Sequence, residues 1–209
     1  MDLKQSSTAE RDDPALHYET LQQLGDCYTS VDDYAQAKEC YEKAATIAPD
    51  EPAPYVGLGI VALQKELLDD AEIAFRVARR LDTDCAKAYG GLAMVAHKKT
   101  NYEIAFEMYL KCLQLDPDHL TALLGLFQVS CQMGSFSRVI YYLEIYLDSH
   151  KGDTSVMFCL AALYTKDDKF EQSKKMLSGI MALEPDNEDA ACLLEEVEHN
   201  LARKKQAGN

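Results

Sequence analysis

The sequence is short of positive charge. Its 209 residues include 21 Lys and Arg against 35 Asp and Glu, a formal net charge of −14. Because the field of such a chain repels polyanions, nucleic acid and an anionic membrane surface are poor partners, although a local basic patch could override the field. The chain has no run of 18 apolar residues, and its first residues do not resemble a secretory signal. We therefore expect a soluble, cytoplasmic protein without membrane insertion or nucleic-acid binding.

Motifs for metals, cofactors and catalysis are also missing. None of the seven cysteines has CxxC spacing, and most stand where an apolar residue is expected. Reduced, buried thiols in a cytosolic protein explain this better than a metal site or a disulfide framework. The five histidines are isolated, and there is no HExxH, GxSxG or phosphate-binding glycine loop. The sequence predicts no cofactor, no metal site and no enzyme.

What the sequence does contain is a period of 34 residues. Leu24 is followed by Leu58, Leu92, Leu126 and Leu160; Tyr41 by Phe75, Tyr109, Leu143 and Leu177; Ala37 by Ala71 and Ala105; and Pro49 by Pro117 and Pro185. Five copies without an insertion or deletion predict a solenoid, because a single helix pair cannot bury its own apolar stripe.

These residues resemble the tetratricopeptide repeat (TPR) family over about residues 18–185. The resemblance implies an all-α, right-handed α-solenoid of five 34-residue helix-turn-helix units plus a C-terminal capping helix. The predicted divisions are a flexible N-terminal arm at 1–13, the five-unit solenoid at 14–187, the capping helix at 188–205 and a disordered tail at 206–209.

Local chemistry sets the predicted helix ends. The first (A) helix of each repeat should end near Ser30, Gln64, Lys98, Gln132 and Lys166. The second (B) helix should end near Ile47, Leu81, Leu115, Leu147 and Leu183, in several cases because a following proline disfavours the α region. Polar residues in the turn between the two helices are expected to cap the B helix.

The fourth repeat departs from the pattern. At its two small B-helix positions it has Val139 and Tyr146. Larger side chains at helix contacts are expected to widen or tilt the packing. Tyr141, Tyr142 and Tyr146 either form an interaction site or compensate within the core, and the second interpretation is favoured.

The resemblance also implies where a partner binds, because A helices line the concave groove of this family. The predicted groove residues are Val56, Gly57, Ile60, Leu63, Lys87, Gly90, Gly91, Met94, His97, Lys98, Leu124, Gly125, Gln128, Cys131, Phe158 and Cys159. An apolar patch of this kind usually marks a protein-binding site. The four glycines, each costing about 1 kcal/mol relative to alanine in a helix, suggest room for a ligand. The groove could instead be filled by residues 1–13 or closed by tighter curvature.

Family members that bind the acidic C-termini of Hsp70 and Hsp90 use a clamp of basic and amide side chains. The corresponding residues here are Gln22, Asp26, Gly57, Lys87 and Gly91. Only Lys87 suits a carboxylate, and Asp26 would repel one. A chaperone C-terminus is therefore not an expected partner.

Three functions remain open from the sequence. The leading hypothesis is a non-catalytic adaptor, scaffold or chaperone-like module that binds an amphipathic helix or apolar peptide of another protein in the groove. The second is a self-assembling scaffold, that is, a homo-oligomer. The third is a thiol-based enzyme or redox sensor built on Cys131, Cys159 and His97. A further basic cluster is either a rim for an acidic partner segment or a solvated face; it comprises Arg76, Arg79, Arg80, Lys87, Lys98 and Lys99.

Overall fold

The structure is a computed structural model that describes residues 14–207. Within them the chain forms eleven α-helices and no strand. They are α1 (Pro14–Ser30), α2 (Tyr34–Ile47), α3 (Pro52–Gln64), α4 (Leu68–Leu81), α5 (Ala86–Lys98), α6 (Tyr102–Leu115), α7 (Leu120–Met133), α8 (Ser137–Ser149), α9 (Thr154–Lys166), α10 (Phe170–Leu183) and α11 (Glu188–Ala207). The predicted arm at 1–13 lies outside the described residues.

Helices pack in consecutive pairs, which confirms the all-α helix-turn-helix prediction. The predicted helix ends are matched except at α7, which ends one residue later at Met133, and at α8, which continues to Ser149. Helix α11 runs to Ala207, so residues 206 and 207 are helical where a disordered tail was predicted. The chain divides into two compact units, Met1–Leu115 and Asp116–Asn209, here called the N-terminal and C-terminal units.

Each turn from an A helix to a B helix bends on one residue with a left-handed backbone. These residues follow the 34-residue period: Asp32, Glu66, Thr100 and Asp168 have φ of 56° to 60°, and Gly134 has φ 68°. The next amide bonds back five residues, as from Asp33 N to Tyr28 O at 2.9 Å, which closes the A helix with a Schellman-type bond.

The prediction that polar turn residues cap the B helices holds for α2 alone among the B helices whose caps are described. There Asp33 Oδ1 accepts the Gln36 amide. Helices α4, α8 and α10 begin without a side-chain cap, so that prediction is wrong for them. Before α4 and α10 the acidic residues Glu66 and Asp168 occupy the left-handed position, one residue before the N-cap; before α8 the left-handed residue is Gly134 and the N-cap position is Phe136.

The core of the N-terminal unit consists of small residues facing aromatic ones. Ala37, Ala71 and Ala105 are fully buried, and Tyr41, Phe75 and Tyr109 are at most 2% exposed. Small side chains let α2, α4 and α6 approach the A helices closely, and the rings fill the space between successive pairs. The 34-residue period thus follows from packing contacts that recur between each repeat and the next.

In the C-terminal unit, α7 and α8 pack less closely than the two helices of any other repeat, as predicted from the larger side chains of Val139 and Tyr146. The last helix covers α9 and α10. Ala190 and Val197 are fully buried against a cluster that includes Leu177 and Ile180, and Lys204 lies 4.6 Å above the Phe170 ring.

Candidate protein-binding surfaces

The structure divides the predicted groove residues of the N-terminal unit into accessible and buried ones. Ile60, Lys87 and Lys98 are exposed, and Met94 and His97 are half-buried. Val56 and Leu63 are only 5% and 4% exposed, in the cluster around Phe75. The prediction that Val56 and Leu63 present apolar surface to a ligand is wrong, because α4 and α5 already cover them.

The glycines have a structural role that the sequence prediction missed. A Cβ on Gly57 would lie 2.5 Å from the Tyr41 ring, whose other side meets Gly25. A Cβ on Gly91 would lie 2.3 Å from the Phe75 ring. Both contacts are far below van der Waals distance, so these glycines make room for core aromatics. The prediction that Gly57 and Gly91 leave space for a ligand is wrong, and Gly90 and Gly125 are buried as well.

What remains accessible on α3 and α5 is a small mixed surface. Ile60 is 36% exposed, and Met94 lies beside the core cluster with part of its side chain accessible. Lys87 and Lys98 stand at the two ends of α5. We call these four residues, with His97, the A-helix face. The accessible groove residues of the N-terminal unit are thus apolar and basic in a chain that is strongly acidic overall.

Helix α1 carries Asp26, which stands at one of the clamp positions compared above. Asp26 is held in place because the Tyr41 hydroxyl donates to its Oδ1 at 2.7 Å, and Thr29 Oγ1 lies 3.2 Å from the same hydroxyl. Burial raises the pKa of Tyr41 well above its ordinary value, so the hydroxyl stays a donor.

In the C-terminal unit the predicted groove residues are mostly half-buried. Leu124, Cys131, Phe158 and Cys159 keep part of their surface, and Gln128 is exposed. Phe158 packs against the cluster that α11 covers.

The thiol hypothesis gains nothing from this environment. Burial raises the pKa of Cys131, and it raises the pKa of Cys159 to about 11. Both groups are therefore protonated thiols at neutral pH, whereas a nucleophilic cysteine needs a lowered pKa. His97, the proposed base, belongs to the other compact unit.

The tyrosines of α8 do not form one surface. Tyr141 is 58% exposed, with its ring edge on Tyr142. Tyr146 is only 6% exposed and stacks on His150 at 4.2 Å between ring centroids. Tyr146 therefore acts in the core, which is the favoured of the two interpretations given above.

Sequence reasoning missed two exposed isoleucines on B helices. Ile73 on α4 is 64% exposed and Ile104 on α6 is 56% exposed. The signal was available for Ile73, since the same repeat position holds Glu39 in α2 and Glu107 in α6. An isoleucine where neighbouring repeats have glutamate indicates a local difference in surface chemistry.

The predicted basic cluster is not uniformly available for binding. Lys99 Nζ lies 2.7 Å from Asp69 Oδ1 and 2.8 Å from Glu72 Oε2, so Lys99 ties the end of α5 to α4. Hydrogen bonding from Lys99 lowers the pKa of both carboxyl groups. Arg76 pairs with the same Glu72.

We expect Lys99→Met to lower the Tm by about 2 °C at pH 7, because it removes the cation that pairs with both Asp69 and Glu72. Because the pKa of the Glu72 carboxyl is lower in the folded protein than its ordinary value of 4.5, the ion pair stabilises the fold at any pH above that ordinary pKa. This stabilisation is lost as the pH falls through the lower pKa of the folded state. The Tm difference from wild type should therefore shrink between pH 5 and 3 (thermal unfolding by circular dichroism). Lys98→Met, next to it and exposed, is the control. A Tm difference that is constant with pH would contradict the ion-pair assignment.

Among residues 14–207, no helix is long and apolar enough to cross a membrane, and no three His, Cys, Asp or Glu side chains gather as metal ligands.

Comparison with known proteins agrees with the 34-residue period of the helix pairs. The family model described as tetratricopeptide repeat matches residues 18–51 and 86–119, which are the first and third repeats of the 34-residue period. The chain contains tetratricopeptide repeats.

Its relatives include the small glutamine-rich tetratricopeptide repeat-containing protein 2 of Mycosarcoma maydis, 28% identical over 60% of this chain and 36% of that protein. The mitochondrial import receptor subunit TOM70 of Rattus norvegicus is 30% identical over 42% of this chain and 14% of that protein. The chain thus spans only a minor part of the length of these relatives.

Among solved structures, Pseudomonas aeruginosa PilF aligns with a TM-score of 0.75 at 21% identity, over 93% of this chain and 89% of that one. At this identity the likeness shows the fold alone. Tetratricopeptide repeat proteins mediate protein–protein interactions and are typically non-catalytic.

Proposed function

We propose that this tetratricopeptide repeat chain is a non-catalytic adaptor that binds a helical or extended segment of a partner protein on the A-helix face of its N-terminal unit. The observation that carries the proposal is the accessible apolar surface of Ile60 and Met94 between two exposed lysines, Lys87 and Lys98. Similarity to an import receptor subunit agrees with a role in receiving other proteins.

The free energy available from burying the A-helix face limits the kind of contact that it can make. Fully burying an Ile or Met side chain is worth about 1.5–3 kcal/mol, and both residues here are already partly covered. Micromolar binding requires about 8 kcal/mol. The apolar pair is thus too small to act alone, so the partner must also contact neighbouring polar groups such as Gln64 and His97.

The two lysines are proposed to select the partner. An exposed ion pair contributes at most about 1 kcal/mol, so Lys87 and Lys98 add little affinity. They favour encounter with an acidic flanking segment and disfavour a basic one, which affects association rate and specificity. The proposed ligand is an apolar segment flanked by acids.

The cytoplasm is the proposed compartment. The proposal rests on the sequence, in which no two cysteines have the CxxC spacing of a disulfide or metal motif.

Ile60→Asp is the direct test, because a buried aspartate on the binding face leaves an unpaired charge in the complex. Tagged wild-type and variant proteins would be used for affinity purification from cell extract, followed by mass spectrometry. We expect partners enriched with wild type to be lost with Ile60→Asp, and any purified partner to bind the variant at least about 10-fold more weakly.

Val31→Asp is the control, since Val31 is a β-branched residue that is 70% exposed and lies outside the A-helix face. It should retain every partner. If Ile60→Asp keeps the full set of partners while its circular dichroism spectrum and Tm match those of Val31→Asp, the A-helix face is not the binding surface.

A further inference from the structure

Helix α4 carries positive charge at three positions where α2 has none. Arg76, Arg79 and Arg80 are three of the six arginines in the chain. At the positions of Arg79 and Arg80, α2 has Ala45 and Thr46. A basic residue in the last turn can stabilise a helix dipole, but α2, α6, α8 and α10 all end without one. The arginines of α4 therefore need another explanation.

These arginines line a cleft of about 570 Å³ that contains no acidic side chain. We call it the arginine cleft; its residues are Ile73, Arg76, Val77, Arg79, Arg80, Thr83 and Tyr89. Its volume falls within the range of about 300–1,000 Å³ that is typical of ligand pockets. Ile73 is 64% exposed at its edge, so the cleft offers apolar surface beside its charges.

The guanidinium groups differ in how they are held. Arg79 lies 5.9 Å from the centre of the Tyr89 ring, a cation–π arrangement that orients it. Arg76 is paired with Glu72 at 2.5 Å. Across residues 14–207, no ion pair involves Arg79 or Arg80. Arg79, which is oriented by the Tyr89 ring, and Arg80 are thus available to donate hydrogen bonds to an external carboxylate.

We propose that the arginine cleft binds an acidic segment of a partner protein that also carries an aliphatic side chain. Arginine presents paired N–H donors that match the two oxygens of a carboxylate. The aliphatic side chain would cover Ile73 and Val77. A peptide fits better than nucleic acid because the net charge of −14 repels a dense polyphosphate more than a segment with a few carboxylates.

This surface is separate from the A-helix face. It is formed by α4 and the start of α5, and it shares no residue with the set around Ile60 and Met94. The chain would then hold two partner segments, or two parts of one partner, at two surfaces that share helix α5 but no residue. The inference does not depend on the proposed function of the A-helix face.

Fluorescence anisotropy with defined probes tests the proposal. The probes are a short fluorescein-labelled peptide of Glu and Leu, its counterpart with Gln for every Glu, and labelled oligo(dT). We expect the full chain to bind the Glu peptide, and Arg79→Gln and Arg80→Gln each to weaken it about 10-fold, because a hydrogen bond to a charged group is lost. Binding should weaken as salt is raised.

Controls separate this surface from the rest of the chain. Arg203→Gln makes the same chemical change at an exposed position on α11 and should leave the affinity unchanged. The loss of affinity caused by Arg79→Gln/Arg80→Gln is also measured in an Ile60→Asp background and should be the same there. Binding of the probe at the A-helix face then does not enter the result, and failure of the A-helix proposal is distinguished from failure of this one. A thermal unfolding scan of Arg79→Gln/Arg80→Gln should match wild type, whereas a helix-dipole role alone would lower the Tm without changing binding.

Four outcomes would overturn the proposal. They are no binding of the Glu peptide by wild type, equal binding by Arg79→Gln/Arg80→Gln, equal binding of the Gln peptide, and oligo(dT) binding more tightly than the Glu peptide. The last would assign the cleft to nucleic acid.

Discussion

Gly91→Ala is expected to destabilise the protein by about 2–3 kcal/mol, although alanine is the better helix former. A Cβ at position 91 would lie 2.3 to 2.5 Å from three atoms of the Phe75 ring. The ring cannot move away, because it is 1% exposed and its neighbour Gly59 leaves it equally little room, with 2.6 Å to a Cβ there. Overpacking of this severity costs up to about 3 kcal/mol or somewhat more, and exceeds the gain of about 1 kcal/mol in helix propensity.

Urea unfolding of a double-mutant cycle checks the cause. In a Phe75→Leu background the ring is absent, so Gly91→Ala should cost less than about 1 kcal/mol there. Gly91→Ala that is neutral or stabilising in the wild-type background would contradict the close packing and would restore the interpretation of Gly91 as free space in a groove.

The sequence predicts the repeat well because its register depends on contacts made many times. Asp32, Glu66, Thr100, Gly134 and Asp168 all take the left-handed backbone, at the spacing the period requires. Small residues such as Ala71 face aromatic residues such as Phe75 in the same way. A departure from the pattern at one position does not change the predicted register, because five copies of the repeat indicate the same one.

The binding surface is predicted less well because it depends on distances that the sequence does not contain. Val56 and Gly57 occupy groove positions by number, but the Tyr41 ring and the core around Phe75 take up the space on that side of α3. A glycine that admits a ligand and a glycine that admits a core ring look alike in sequence. The same holds for charge: Lys99 resembles a free cation until its two carboxylate partners on α4 are seen.

Ile73 was missed for another reason. The family resemblance directs attention to A helices, whereas Ile73 lies on a B helix. Comparison between repeats could have found it, since Glu39 and Glu107 stand at the matching positions of α2 and α6. Departures from a repeat are better indicators of function than agreement with it, because agreement is explained by packing.

Tyr146→Ala is expected to destabilise the protein by about 3 kcal/mol, although a small residue is what the repeat pattern prefers at this position. Tyr146 is 6% exposed, and its ring stacks within 11° of parallel on His150. Its hydroxyl donates to Asp153 Oδ2 at 3.2 Å, and Asp153 Oδ1 caps α9 by accepting the Val156 amide. Removing the ring leaves a cavity where α8 has already moved away from close packing, and deletion of a buried aromatic costs about 3–5 kcal/mol.

Two variants separate the contribution of the Tyr146 ring from that of its hydroxyl and from the loss of any tyrosine on α8. Tyr146→Phe keeps the ring and loses only the bond to Asp153, so it should cost about 1 kcal/mol. Tyr141→Ala, at a side chain that is 58% exposed on the same helix, should cost less than about 1 kcal/mol. If chemical unfolding shows Tyr146→Ala to be as stable as Tyr141→Ala, the fourth repeat can close to the regular packing with a small residue. If the loss is found, Tyr146 is the replacement core of that repeat, and the departure from the pattern at α8 is a matter of stability. The search for partner surfaces then belongs to α3, α4 and α5.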